Sequence, residues 1–117
     1  MFDFFGNKTH KLLSLLIEEA KKLGLPPSDL NHAQEYLKER EFELCFDTLI
    51  TQLHENDILI TSNFYAIAEQ VAIKMKLRYE QYAYIKDLIA DDGQTPNAVK
   101  NGLGKILGSL KNRKPKE

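Results

Sequence analysis

The 117-residue chain is poor in the residues that carry most protein chemistry. It has one cysteine, Cys45, which excludes an internal disulfide framework and any cysteine-rich metal site. It has no tryptophan, and valine occurs twice against seventeen leucines, a bias toward helix over strand. No apolar run approaches the roughly 18 residues of a membrane span. The first residues, Met1-Phe2-Asp3-Phe4-Phe5, lack the basic region of a secretory signal, which predicts a cytoplasmic protein with no membrane association. What is present is balanced: 43% hydrophobic and 28% charged residues, enough apolar side chain to offset the entropy of ordering. The length is that of one domain.

Charge is uneven along the chain although the net value is only −1. Residues 28–57 hold eight acids against Lys38 and Arg40, and residues 94–117 hold six bases against Glu117. An acidic middle and a basic end create two opposite local fields, each reaching about a Debye length.

Apolar spacing predicts helices throughout. The first spans about 8–23, with Leu12, Leu13, Leu16, Ile17, Ala20 and Leu23 on one face and Gly24 as its stop. Pro26-Pro27 breaks the chain, and Ser28 is the expected cap of a second helix over 29–39. The third, 41–55, carries the cleanest stripe: Phe42, Cys45, Phe46, Leu49, Ile50 and Leu53. Ile58-Leu59-Ile60 is an apolar connector, after which Thr61 or Ser62 can cap a fourth helix over 63–76. A fifth, 79–90, presents Tyr82, Ile85, Leu88 and Ile89. A sixth, 96–110, opens on Thr95-Pro96 and is weakened by Gly102, Gly104 and Gly108. The predicted fold is all-α, a compact antiparallel bundle of five or six short amphipathic helices. It forms a single domain over 1–110, followed by a frayed basic tail, 111–117.

Catalytic and metal motifs are missing. His10, His32 and His54 have no partners at zinc-helix spacing, so no metal or other cofactor is expected. Cys45 lies within an apolar stripe and reads as a small core residue. Gly102-Leu103-Gly104 has no strand before it and fails the context of a nucleotide loop. No nucleophile stands with a base, so the chain is not expected to be an enzyme. Two features remain. Glu39, Glu43 and Asp47 recur every four residues, a row of like charges that costs a helix a few tenths of a kcal/mol. Tyr65, Tyr79, Tyr82 and Tyr84 cluster in sequence, and Tyr65 falls off the predicted apolar stripe, as an interface anchor does.

Residues 33–89 contain Glu41-Phe42-Glu43, Asp47-Thr48-Leu49-Ile50, Gln52-Leu53, Glu55, Asp57-Ile58 and Ile60-Thr61, then Phe64-Tyr65, Tyr82 and Leu88-Ile89. This pattern resembles the MafI/CdiI-type immunity proteins of bacterial contact-dependent inhibition systems. Those carry an acidic "gEfelAldtLi-qL-E-dipIt" segment followed by a helix and a short "y--L--LI" helix. Arg40 departs from the pattern where glycine is frequent, and Cys45 where alanine is usual. The resemblance implies a non-enzymatic inhibitor whose partner is the C-terminal domain of a cognate toxin, commonly a nuclease. It implies Glu39, Glu43, Asp47, Glu55 and Asp57 as toxin-facing acids, with Glu43 and Asp47 foremost, and Tyr65 as the aromatic anchor. A nuclease presents a positive cleft to phosphates, and a rigid row of carboxylates mimics that charge. Direct nucleic-acid binding by this chain is not expected, since the tail Lys111–Lys116 lacks flanking aromatics. Two alternatives stay open: a helical adaptor binding a partner helix or peptide, and a small nucleic-acid-binding regulator using the basic end. The phenylalanines of Met1–Phe5 leave room for a homodimer.

Overall fold

A computed structural model describes residues 6–90. It is an all-α helical bundle: α1 (Asn7–Leu23), α2 (Pro27–Lys38), α3 (Phe42–Glu55) and α4 (Ser62–Lys74), then two 3₁₀ turns, η1 (Tyr79–Gln81) and η2 (Ala83–Leu88). The expected sixth helix over 96–110 and the tail 111–117 lie outside the described residues.

The core is built from the predicted stripes. Leu13, Leu16, Ile17 and Ala20 of α1 meet Ala33 and Leu37 of α2 and Cys45, Phe46, Leu49, Ile50 and Leu53 of α3, all at most 4% exposed. Helix α1 touches α2, α3 and α4, and α2 packs most extensively against α3. The pairing follows from their link, only residues 39–41, which folds the two helices back on one another.

All four α-helices end the same way. A residue with a left-handed backbone follows the last helical turn, the cap itself in α1 and the residue after the cap in α2, α3 and α4, and its neighbour donates to a carbonyl five residues back. Those donations are Leu25 N to Ala20 O, Glu41 N to Tyr36 O, Ile58 N to Leu53 O and Leu77 N to Ala72 O. Glycine fills the left-handed position only in α1, at Gly24 (φ 105°); Arg40, Asp57 and Lys76 hold it elsewhere, at φ 50–59°. The following residue is apolar and packed on the core in three cases (Leu25, Ile58, Leu77). The fourth is Glu41, an exposed acid.

Two details depart from expectation and one choice is settled. Helix α2 begins at Pro27, with Pro26 rather than Ser28 as its cap, because a proline's missing N–H costs nothing at a first helical position. Of the two candidate caps of α4, Thr61 takes the role, its hydroxyl accepting from Phe64 N at 2.9 Å, and Ser62 is the first helical residue. The fifth segment, expected as one α-helix over 79–90, is instead the pair of 3₁₀ turns. Tyr82, Ile85 and Leu88 recur every three residues, and a helix of three residues per turn keeps all of them on one face, where an α-helix would rotate them apart. They are at most 8% exposed. The segment ends on Ile60: Ile60 N donates to Leu88 O at 2.9 Å, and Ala90 N to Ile60 O at 2.8 Å, a single parallel bridge of Ile60 with Ile89.

Candidate functional site

The acids are all exposed, but they do not form one ridge. Glu43 lies in the first turn of α3, where the helix dipole favours a carboxylate, and Asp47 follows one turn later. Glu39, expected to extend this row, is instead the cap of α2, and the left-handed Arg40 separates it from α3. Glu55 ends α3 and Asp57 sits in the loop beyond it. Twelve helical positions separate Glu43 from Glu55, about 18 Å along the axis and about a third of a turn around it. The five acids therefore make two groups at opposite ends of α3.

Of these acids, Glu43 and Asp47 line a concave surface. Arg40, Glu41, Phe42, Glu43, Leu44, Asp47 and Gln81 enclose an open groove of about 440 Å³. Its rim holds three carboxylates against one guanidinium. Gln81 of η1 donates its amide to Glu43 Oε2 at 3.4 Å and so ties the 3₁₀ segment to α3. The Arg40 guanidinium lies 5.1 Å from the Phe42 ring centroid, within cation–π range. Leu44 is 46% exposed, alone among the apolar side chains of α3 in standing clear of the core. Glu41 and Gln81 were not singled out from the sequence. Glu41 was legible as the acid occupying the apolar position after a helix end; Gln81 was not, because only the tertiary fold brings η1 to α3.

Tyr65 is not the exposed anchor expected of it. Its side chain is 7% exposed and packs in the core. The apolar face of α4 is wider than a single stripe, since Tyr65, Ala68 and Ala72 form a second row beside Phe64 and Val71. The 3₁₀ segment covers that row, setting the Tyr82 ring 6.0 Å from that of Tyr65. The Tyr65 hydroxyl is sealed from solvent and has no hydrogen-bond partner among the described residues. Burial raises its pKa above the ordinary tyrosine value, with the Lys86 ammonium pulling the other way. Tyr82 is also buried, and its pKa is raised by burial and then by Glu69, to whose Oε2 it donates at 3.4 Å.

The exposed tyrosines are Tyr79 (55%) and Tyr84 (39%). Tyr79 opens η1, two residues before Gln81 of the groove. Its ring is held edge-on against Tyr82 at 5.6 Å, and its hydroxyl accepts from Lys86 Nζ at 2.8 Å, an interaction that raises the lysine's pKa. Tyr84 packs edge-on against His54, ring centroids 4.9 Å apart, near the far end of α3.

Among the described residues no group of three or more His, Cys, Asp or Glu is placed to hold a metal ion, and no helix is long and apolar enough to cross a membrane. Cys45 is buried, and desolvation pushes its thiol up to about 12, far from the thiolate a nucleophile requires. No family model, curated protein or solved structure matches this chain.

Proposed function

We propose that the chain is an immunity-type inhibitor that binds the C-terminal domain of a cognate toxin, a nuclease by the chemistry of the surface, and neutralises it by covering a cationic cleft. The observation that carries this reading is the exposed groove at the α2–α3 corner, where Glu41, Glu43 and Asp47 stand around Leu44. A positive cleft meeting that surface gains electrostatic steering from the carboxylates and apolar burial from the leucine. Tyr79, exposed yet held by Tyr82 and Lys86, takes the anchor role the sequence had given to Tyr65. Anchors already fixed in place lose little entropy on binding. Arg40 also supports the resemblance to MafI/CdiI-type proteins: the position where that pattern favours glycine is here a left-handed residue at φ 59°. Glu55 and Asp57, at the other end of α3, belong to the rim of such an interface or lie outside it.

Protection at nanomolar affinity needs about −12 kcal/mol, within reach of an interface of about 800 Å² per partner. The test is calorimetric titration of the toxin domain encoded beside this chain. Glu43→Lys with Asp47→Lys should weaken binding about a hundredfold, or ~2.8 kcal/mol, chiefly through a slower association that depends on salt. Unchanged affinity in the double variant removes the acidic groove from the mechanism. Failure of the wild-type chain to bind the domain removes the inhibitor reading altogether.

A further inference from the structure

We propose that two copies of this chain pair through the α2–α3 corner, the acidic groove of each copy seated on a basic strip of the other. The strip adjoins the groove. Residues 74–86 hold four bases, Lys74, Lys76, Arg78 and Lys86, against the single acid Glu80, and residues 39–47 hold four acids against Arg40. One side chain joins these two stretches. Gln81 donates its amide to Glu43 Oε2 at 3.4 Å, and its carbonyl oxygen accepts from Arg78 N at 3.0 Å. Acids and bases thus stand side by side, with Gln81 at their border. Lys76 and Arg78 are exposed. Glu80 takes only Nε of Arg78, at 3.0 Å, and leaves the terminal guanidinium nitrogens without a partner among the described residues; Lys76 has no ion pair among them. Lys86 extends the strip, its ammonium 2.8 Å from the Tyr79 hydroxyl.

A surface of this kind is complementary to itself. A two-fold axis through the border at Gln81 sets the acids of each copy on the bases of the other, so both halves of the isologous contact attract. A partner of one sign gains at one half and is repelled at the other; a second copy gains at both. Exposed ion pairs are individually worth little, and an interface also needs an apolar centre. Each half supplies one: Leu44, 46% exposed, in the groove, and Tyr79, 55% exposed, at the strip. The inference does not rest on the inhibitor reading. The two meet at the groove, where a cationic cleft and a second copy compete.

Sedimentation equilibrium of the full chain, with no other partner present, tests the proposal. In dilute salt the mean mass should rise from 13.5 kDa at about 1 μM toward twice that value at about 500 μM. It should fall back in about 1 M salt, where the Debye length is about 3 Å. Glu43→Lys with Asp47→Lys, and separately Lys76→Glu with Arg78→Glu, should each raise the dimer Kd at least about tenfold; all four side chains are exposed, so the core is untouched. Mixed together, these two double variants should form a heterodimer, because each carries on both halves the charge that the other needs. Lys11→Glu with Lys21→Glu makes the same change of net charge at exposed positions on α1. It should leave the Kd within about twofold, and it should pair with the Glu43→Lys, Asp47→Lys variant at least about tenfold more weakly than the strip variant does. A mass that stays at 13.5 kDa at every concentration overturns the proposal and leaves the corner to a partner of another kind. Groove or strip variants that dimerise like the native chain, a mixture of the two that stays monomeric, or an equal loss in the α1 variant overturns it as well.

Discussion

Replacing Tyr65 by phenylalanine should stabilise this protein, an unusual sign for a change in a packed core. The Tyr65 hydroxyl is sealed from solvent without a partner among the described residues, so folding strips its hydration and returns nothing. An unsatisfied buried group of this kind costs about 1–3 kcal/mol. Tyr65→Phe deletes that cost and keeps the ring against Tyr82 and beneath Lys86, whose ammonium is 5.7 Å from the ring centroid. We expect a gain of about 1 kcal/mol at the low end of that range, since the small void left behind loses some dispersion contact. In a domain of this size each kcal/mol moves the melting temperature by about 4–8 °C. Urea unfolding followed by far-ultraviolet circular dichroism should show a higher midpoint with unchanged slope. Tyr82→Phe is the matched control with the opposite sign. It removes a hydrogen bond to the Glu69 carboxylate and should cost about 1 kcal/mol.

The same pair fixes a pH dependence. Both phenols titrate at higher pH in the folded chain than in the unfolded one. The folded state therefore holds these protons longer than the unfolded state does. Their contribution is complete below the ordinary tyrosine pKa of about 10 and is lost as pH rises above it toward the folded values. Stability should fall on the alkaline side of that point, less steeply in Tyr65→Phe. A loss of stability at neutral pH in Tyr65→Phe would refute the argument, because it would mean that the hydroxyl is hydrogen-bonded, to a buried water or to Glu69.

Two further outcomes follow from the backbone and the core. Asp57→Gly and Lys76→Gly relieve left-handed residues at φ 50° and 59° and should each add about 0.5 kcal/mol, the strain removed exceeding the added entropy of the unfolded chain. Gly24→Ala should lose about 1 kcal/mol from backbone strain alone, as no atom lies within 4 Å of the added Cβ; chemical denaturation of the three variants measures the contrast. Cys45, with its thiol at about 12, should resist iodoacetamide at pH 8 in the folded protein and react promptly in urea; fast native alkylation would contradict its burial.

The corner groove shows how local and global information divide. Glu43 and Asp47 were readable as a pair because helical spacing alone puts residues four apart on one side. Glu39 obeyed the same spacing, yet a helix end intervenes at Arg40, and spacing carries no meaning across such a break. Gln81 is 38 residues from its hydrogen-bond partner Glu43, a separation that no local pattern spans.

The sequence by itself determined the helical class and the inward faces of the four α-helices, and it narrowed the α4 cap to Thr61 or Ser62, because each depends on residues within a turn or two of one another. Tertiary structure decided which tyrosines face water. Tyr65 on α4 is covered by the 3₁₀ segment, whereas Tyr79, the first residue of that segment, is left at its outer edge. It also decided that five acids make two groups, since a chain that folds back at residues 39–41 and turns again at 56–61 sends the ends of its acidic stretch to opposite ends of α3. Burial and proximity are properties of the packed whole, set by surfaces that residues distant in sequence bring together.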